Sequence, residues 1–288
     1  MTTPITSLPP VPPVPAPRRL PLALPPLGLL GLALTVICLL MALFGPSLAP
    51  YDASAIVDQD VFGPISSQFP LGTDYLGRDM LSRILHGARY TVALALAATL
   101  LASLTGTMLG LFAATAGGLV DATLSRALDA LISIPSKMFA LMMVASFGSS
   151  VPLLIVTAAL GFMPGSYRIA RALAVNVQAM DFVQAARARG EGMAYIMCVE
   201  ILPNMIRPVL ADFGLRFVFV VLLLSGLSFL SLGVQPPDAD WGSLVRENIA
   251  GLSEGAPAVL MPALAIALLT IGVNLLIDNV RGSRGKKG

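Results

Sequence analysis

Uninterrupted apolar runs of about 20 residues constrain this chain more than any other feature, and residues 27–44, 91–114 and 258–276 are the clearest. As an α-helix rising ~1.5 Å per residue, such a run matches the ~30 Å hydrocarbon core of a bilayer. In lipid every backbone N–H and C=O must be paired within the protein, so only helices and closed barrels span. Barrel strands need short segments of alternating polarity, whereas these runs are continuous and rich in Leu and Ala. Hydrophobic residues make up 56% of the chain and charged residues only 12%, too little polar surface for a soluble domain of this length. The expected fold class is all-α: a polytopic membrane protein with six transmembrane helices.

Residues 1–24 are a Pro-rich tail containing Arg18 and Arg19, and repeated prolines forbid a regular helix there. The first span, 25–46, reads as retained and not as a cleaved signal, because no small-x-small site follows it directly and further spans come after. Residues 47–89 form a polar connection, first a Pro/Gly/Asp-rich loop and then, over 79–89, an amphipathic interfacial helix. In it Asp74 and Asp79 are expected to accept backbone N–H bonds, Gly72 and Gly77 to permit tight turns, and Asp79 and Arg83 are spaced to pair.

The core, 90–280, holds the other five spans. The second, 91–114, carries Gly106, Gly110 and Ala114, a spacing that lets helices approach closely in lipid. The third, 124–147, carries Arg126, Asp129, Pro135 and Lys137. A charge centred in hydrocarbon costs roughly 2.5–3.5 kcal/mol on an insertion scale, so either this helix begins late or its polar residues face a cavity or a partner. The fourth, 152–167, is shorter than ideal and interrupted at Gly161 and Pro164, and it can be extended by 168–175 where the helix leaves the membrane. The fifth, 208–232, has Asp212 and Arg216 one turn apart and able to compensate each other, although snorkelling of the arginine is an alternative. In the polar connection that follows, Trp241 is the only tryptophan and reads as an interfacial anchor. The sixth span, 258–276, leads to a basic tail, 281–288.

Against this apolar background stands the loop 176–207, where Asp181, Arg187, Arg189, Glu191, Glu200 and Arg207 gather. Residues 179–189 are rich in the helix formers Ala, Gln and Arg, and Gly190 and Gly192 then break the helix. A short apolar segment, 193–202, follows, which Pro203 ends or restarts. A helix–turn–helix unit this polar cannot lie in hydrocarbon; it reads as a water-side platform for docking. With a cytoplasmic N-terminus, six spans put this loop and the C-terminus on the cytoplasmic side. Arg168, Arg171, Arg187, Arg189, Arg207 and the basic tail then lie inside, while Arg78, Arg83, Arg89 and Arg246 lie outside.

No reactive constellation is present in the sequence. His86 is the only histidine, and Cys38 and Cys198 lie far apart and are expected as free thiols. There is no GxxxxGK[ST] phosphate loop and no GxSxG elbow. We expect no enzyme, no cofactor or metal bound by this chain and no nucleic-acid partner. The residues alone leave transporter, receptor, scaffold and channel open.

Four stretches carry a resemblance: 71–89 (LGTDYLGRDMLSRILHGAR), 117–129 (GGLVDATLSRALD), the loop segment 181–203, and 228–242 (SFLSLGVQPPDADWG). Together they resemble the inner-membrane permease subunits of bacterial ABC importers, in the branch that handles dipeptides, oligopeptides and sometimes nickel. The loop resembles the family's E-A-A signature with its later glycine and hydrophobic-hydrophobic-proline ending. Here these positions are Gln184, Ala185, Ala186, Gly190, Ile201, Leu202 and Pro203, with Arg187 beside them. Gln184 stands where the family has an acid, which keeps hydrogen-bonding capacity and removes a charge.

The resemblance implies cytoplasmic coupling helices that dock on ATP-hydrolysing subunits. It further implies a homologous second permease, two cytosolic ATP-binding subunits that hold ATP and Mg, an extracytoplasmic solute-binding protein and a peptide-like substrate. The location implied is the bacterial inner membrane, multi-pass, with both termini cytoplasmic and membrane lipid around it. A nickel-chelate or other small-solute permease of the same family and, less favoured, a non-transport scaffold are the alternatives.

Overall fold

The computed structural model describes residues 25–282; the expectations for the Pro-rich tail 1–24 and for 283–288 lie outside them. Ten α-helices follow in order among these residues: α1 Pro26–Leu48, α2 Met80–Ala116, α3 Gly118–Ile132, α4 Ser136–Phe147, α5 Val151–Gln178, α6 Asp181–Ala188, α7 Met193–Tyr195, α8 Leu202–Phe229, α9 Trp241–Glu247 and α10 Pro257–Gly282. A π-helical turn, Ile196–Ile201, joins α7 to α8 without a break, and a 3₁₀ turn, Ile249–Leu252, follows α9. Five helical stretches are long and apolar enough to cross a membrane, and the bent pair α3–α4 makes a sixth. The all-α polytopic class expected from the apolar runs is the class observed.

The interfacial helix expected over 79–89 is instead the first turns of α2, which runs 37 residues without interruption. Asp79 caps it, its Oδ2 accepting from Ser82 N at 2.8 Å, and does not pair with Arg83, which binds Asp74 and Glu247 instead. Midway, α2 meets α5 at its small residues. A Cβ on Gly106 would lie 2.6 Å from the Met163 carbonyl oxygen, and one on Gly110 would lie 2.8 Å from Arg171 N. The backbones touch there, and any side chain would force them apart.

Two prolines act differently. Pro135 lacks an N–H and disfavours helical backbone at the residue before it, and α3 and α4 meet at an 80° bend there. Pro164 sits inside α5, which continues for 28 residues through it and through Gly161. The fourth span therefore takes in the expected extension beyond 167, and the expected interruption does not occur. Its far end is held by polar contacts to α3: Tyr167 Oη lies 2.8 Å from Ser125 Oγ, Arg168 Nη2 donates to Asp129 at 2.6 Å, and Arg171 pairs with Asp121. Deeper in the bundle Arg216 of α8 donates to both oxygens of Asp212 at 2.6 and 3.0 Å and to the Phe162 carbonyl of α5 at 2.9 Å. The two opposite charges compensate each other inside the bundle, as their spacing suggested.

The segment between α1 and α2 folds back over one end of the helix bundle as a cap. Gly72 and Gly77 have φ of +75° and +74°, and Asp74 Oδ1 accepts from Leu76 N and Arg78 N, both at 2.9 Å. Asp74 Oδ2 also accepts from Arg78 Nε at 2.7 Å and Arg83 Nη1 at 2.8 Å, and Arg83 Nη1 reaches Glu247 of α9 at 2.8 Å. Arg78 and Arg83 are thus neutralised, and the cap is tied to α9.

Trp241 is no interfacial anchor. It is 0% exposed, its Nε1 donates to the Ile84 carbonyl of α2 at 3.0 Å, and its backbone N donates to Thr91 Oγ1 at 3.0 Å. Asp240 caps α9 in a reciprocal box with Ser243 and accepts from Ser228 Oγ at 2.8 Å; burial raises its carboxyl above the ordinary carboxylate range, and those donors oppose the rise. Trp241→Ala empties the largest fully buried side chain, and we expect a loss of about 3–5 kcal/mol, measured as a lower thermal midpoint of the detergent-solubilised protein. Trp241→Phe, which keeps most of the packing and loses the indole donor, should cost less.

Candidate coupling interface

The polar loop folds as the helix α6, a tight turn, and a second helical segment that continues into α8. α6 carries Asp181 in its first turn and Arg187 in its last, both favourable to the helix dipole. Its end explains the spacing between Ala186 and Gly190. Glu191 N donates to the Ala186 carbonyl at 3.2 Å and Gly190 N to the Arg187 carbonyl at 2.9 Å, the paired bonds of a Schellman ending. That ending needs a left-handed residue four after Ala186, and Gly190 supplies it with φ +83°. Nothing lies within 4 Å of where its Cβ would be, so the demand is conformational, not steric.

The chain then restarts at Met193. Leu202 N bonds the Met197 carbonyl, five residues back, which closes the π turn one residue before Pro203. Pro203 has no N–H to place in a ladder, and it falls in the first turn of α8, where none is needed. The second member of the expected helix pair is thus no free-standing helix; it is the end of a transmembrane one.

The eight candidate residues divide into two sets. Ala186 and Ile201 are buried and Leu202 is half-buried, whereas Gln184, Ala185, Arg187, Gly190 and Pro203 are exposed. Ile201 and Leu202 of the inward set belong to a small core in which Val183, Ile196, Ile201 and Met205 pack with Leu111 and Ala114 of α2 and Ala170, Ala174 and Val177 of α5, and Ala186 is fully buried one turn after Val183. Around its edge Gln184 Nε2 donates to the Gln178 carbonyl at 3.0 Å. The Gln178 amide, turned to satisfy both neighbours, donates to the Ala114 carbonyl at 2.9 Å and accepts from Arg187. Arg189 reaches Glu191 and Glu200 at 3.6 Å, exposed contacts worth little.

Motif reading missed the outward apolar residues. Met180, Phe182, Met193, Tyr195 and Val199 are exposed on this most polar stretch of the core. Helical spacing held the signal: Phe182 and Ala185 lie three apart on one face of α6, while Val183 and Ala186 lie three apart on the other. Among the described residues no His, Cys, Asp and Glu group is placed to hold a metal ion. Cys38 and Cys198 are free thiols, one buried and one exposed.

Fold and loop together define a class: a helical membrane protein of six crossings, the bent pair counted as one, with a structured polar element between its fourth and fifth. The chain belongs to the family of binding-protein-dependent transport system inner membrane components, matched over residues 106–283, which include the whole loop. It is 33% identical to the di/tripeptide transport system permease protein of Pseudomonas aeruginosa, over 90% of this chain and 87% of that protein. Glutathione transport system permease proteins are also similar: that of Salmonella typhimurium at 36% over 86% of this chain and 82% of its own, and that of Escherichia coli at 32% over 88% and 84%.

Ala186→Leu tests the inward set. Ala186 is 0% exposed, so the added volume has no free space, and we expect it to cost about 1–3 kcal/mol and to speed amide hydrogen exchange across α6 while leaving α10 protected.

Proposed function

We propose that this chain is one permease of an ATP-driven importer that carries a peptide-like solute across the bacterial inner membrane by alternating access. A homologous second permease completes the substrate path, two ATP-binding subunits that hold ATP and Mg bind the cytosolic face, and a solute-binding protein delivers substrate from outside. Both termini lie in the cytoplasm. The similarity to di/tripeptide and glutathione permeases over nearly the whole chain supports a peptide as substrate.

One observation carries the coupling role: the loop has a buried side keyed to α2 and α5 and an exposed apolar side with no lipid to cover it. On this reading Phe182, Ala185, Met193 and Tyr195 seat the loop on an ATPase, with Gln184, Arg187 and Gly190 at the rim. ATP-driven closure then pushes the loop, and the push passes into α8 through Ile201, Leu202 and Pro203 and into α2 and α5 through Val183 and Ala186. Inward- and outward-facing forms are two packings whose balance ATP and the loaded binding protein shift. This chain contributes motion and a path; bond chemistry belongs to the ATPases.

Gly190→Glu forces a charged side chain into a left-handed backbone at the rim. The expected result is loss of ATP-driven uptake in reconstituted vesicles with normal membrane insertion of the chain. Uptake at the wild-type rate would refute the coupling role.

A further inference from the structure

Lys137 lies at the α3–α4 bend, and the function proposed above leaves it without a task. Its depth follows from α5. A Cβ on Gly161 would lie 3.7 Å from Ser136 Cβ and 4.0 Å from Phe139 Cδ1. At ~1.5 Å per residue Gly161 is about 15 Å from the Val151 end of a helix about 42 Å long. Ser136 and the adjoining Lys137 therefore lie well inside a hydrocarbon layer of ~30 Å.

Lys137 is exposed at that depth, as are Ser133, Ile134, Pro135 and Met138. Such a surface faces lipid, a neighbouring subunit or water. Lipid is excluded twice. An ammonium group is strongly disfavoured in hydrocarbon. The bend also interrupts the helical ladder, and α4 starts at Pro135 with no side-chain cap; irregular backbone at membrane depth is tolerated only against protein or a water-filled cavity.

The charges along α3 and its bend do not balance. Asp121 and Asp129 are taken by Arg171 and Arg168, whereas Arg126 and Lys137 are exposed and make no ion pair among the described residues. An anion is missing, and the importer reading, on which this step rests, supplies one. We propose that Lys137 lines the substrate path and binds the carboxylate of the transported solute as it passes the α3–α4 bend. Lysine suits a transient contact: it is a strongly hydrated point charge on a flexible stem, without the fixed fork by which arginine holds a carboxylate at two points. A path site must bind well enough to admit its cargo and weakly enough to release it.

The test uses the assembled complex in proteoliposomes, with the dipeptide Ala-Ala as cargo. With the native thiols replaced (Cys38→Ala, Cys198→Ala), Lys137→Cys should react with a membrane-impermeant thiol reagent; failure to react places the residue against lipid or packed protein and overturns the proposal. Lys137→Met should cut Ala-Ala uptake by about tenfold or more while assembly and binding-protein-stimulated ATP hydrolysis persist, and Lys137→Arg should recover much of it. Normal uptake by Lys137→Met overturns the proposal. So does loss of assembly together with uptake, which would mark Lys137 as an ion-pair partner of the neighbouring permease. A wild-type complex that carries no Ala-Ala counts against the peptide reading, and the labelling result then decides the placement of Lys137 by itself.

Discussion

The close approach of α2 and α5 is the contact on which the rest of the structure depends. Without side chains at Gly106 and Gly110 the two backbones meet directly, and neither helix can shift without opening the seam. At ~1.5 Å per residue α2 is about 55 Å long, more than a bilayer's hydrocarbon needs, and both surplus ends are occupied. Its first turns carry Arg83 and the Ile84 carbonyl, the anchor points for Glu247 and Trp241. Its last turns carry Leu111 and Ala114, against which the polar loop packs. One rigid helix thus touches both faces. The relaxed place in the ladder is the π turn Ile196–Ile201, between the residues proposed to dock and α8.

Much of this was legible because it follows from local rules. The apolar runs set the class, the spacing of Asp212 and Arg216 announced their pairing, and Gly190 was marked because a helix ending of that kind needs a left-handed residue. What stayed hidden depends on distant neighbours. Trp241 read as an interfacial anchor because that is where tryptophan usually sits in membrane proteins, and the carbonyl that holds its indole is 157 residues away in sequence. Pro135 and Pro164 look alike in an apolar stretch, yet one ends a helix at an 80° bend and the other lies within an unbroken one. The difference is support: α5 has α2 along its length and Arg216 donating to its Phe162 carbonyl, whereas α3 buries only Leu128.

Exposure has opposite meanings on the two kinds of surface. Leu43 of α1 is 73% exposed and Phe182 of α6 only 38%, yet Phe182 is the more informative residue. Leu43 belongs to a continuous apolar run and finds in lipid the solvent it was selected for. Phe182 belongs to a segment whose polarity keeps it out of lipid, beside Asp181 and Arg187, so its ring meets water until a partner covers it. An apolar patch rimmed by charges on a water-side element is the usual form of a protein-docking surface. The same reasoning applied in reverse picks out the charged residue on the apolar side: what is ordinary in one solvent is costly in the other, and each such mismatch identifies a surface that the isolated chain leaves incomplete.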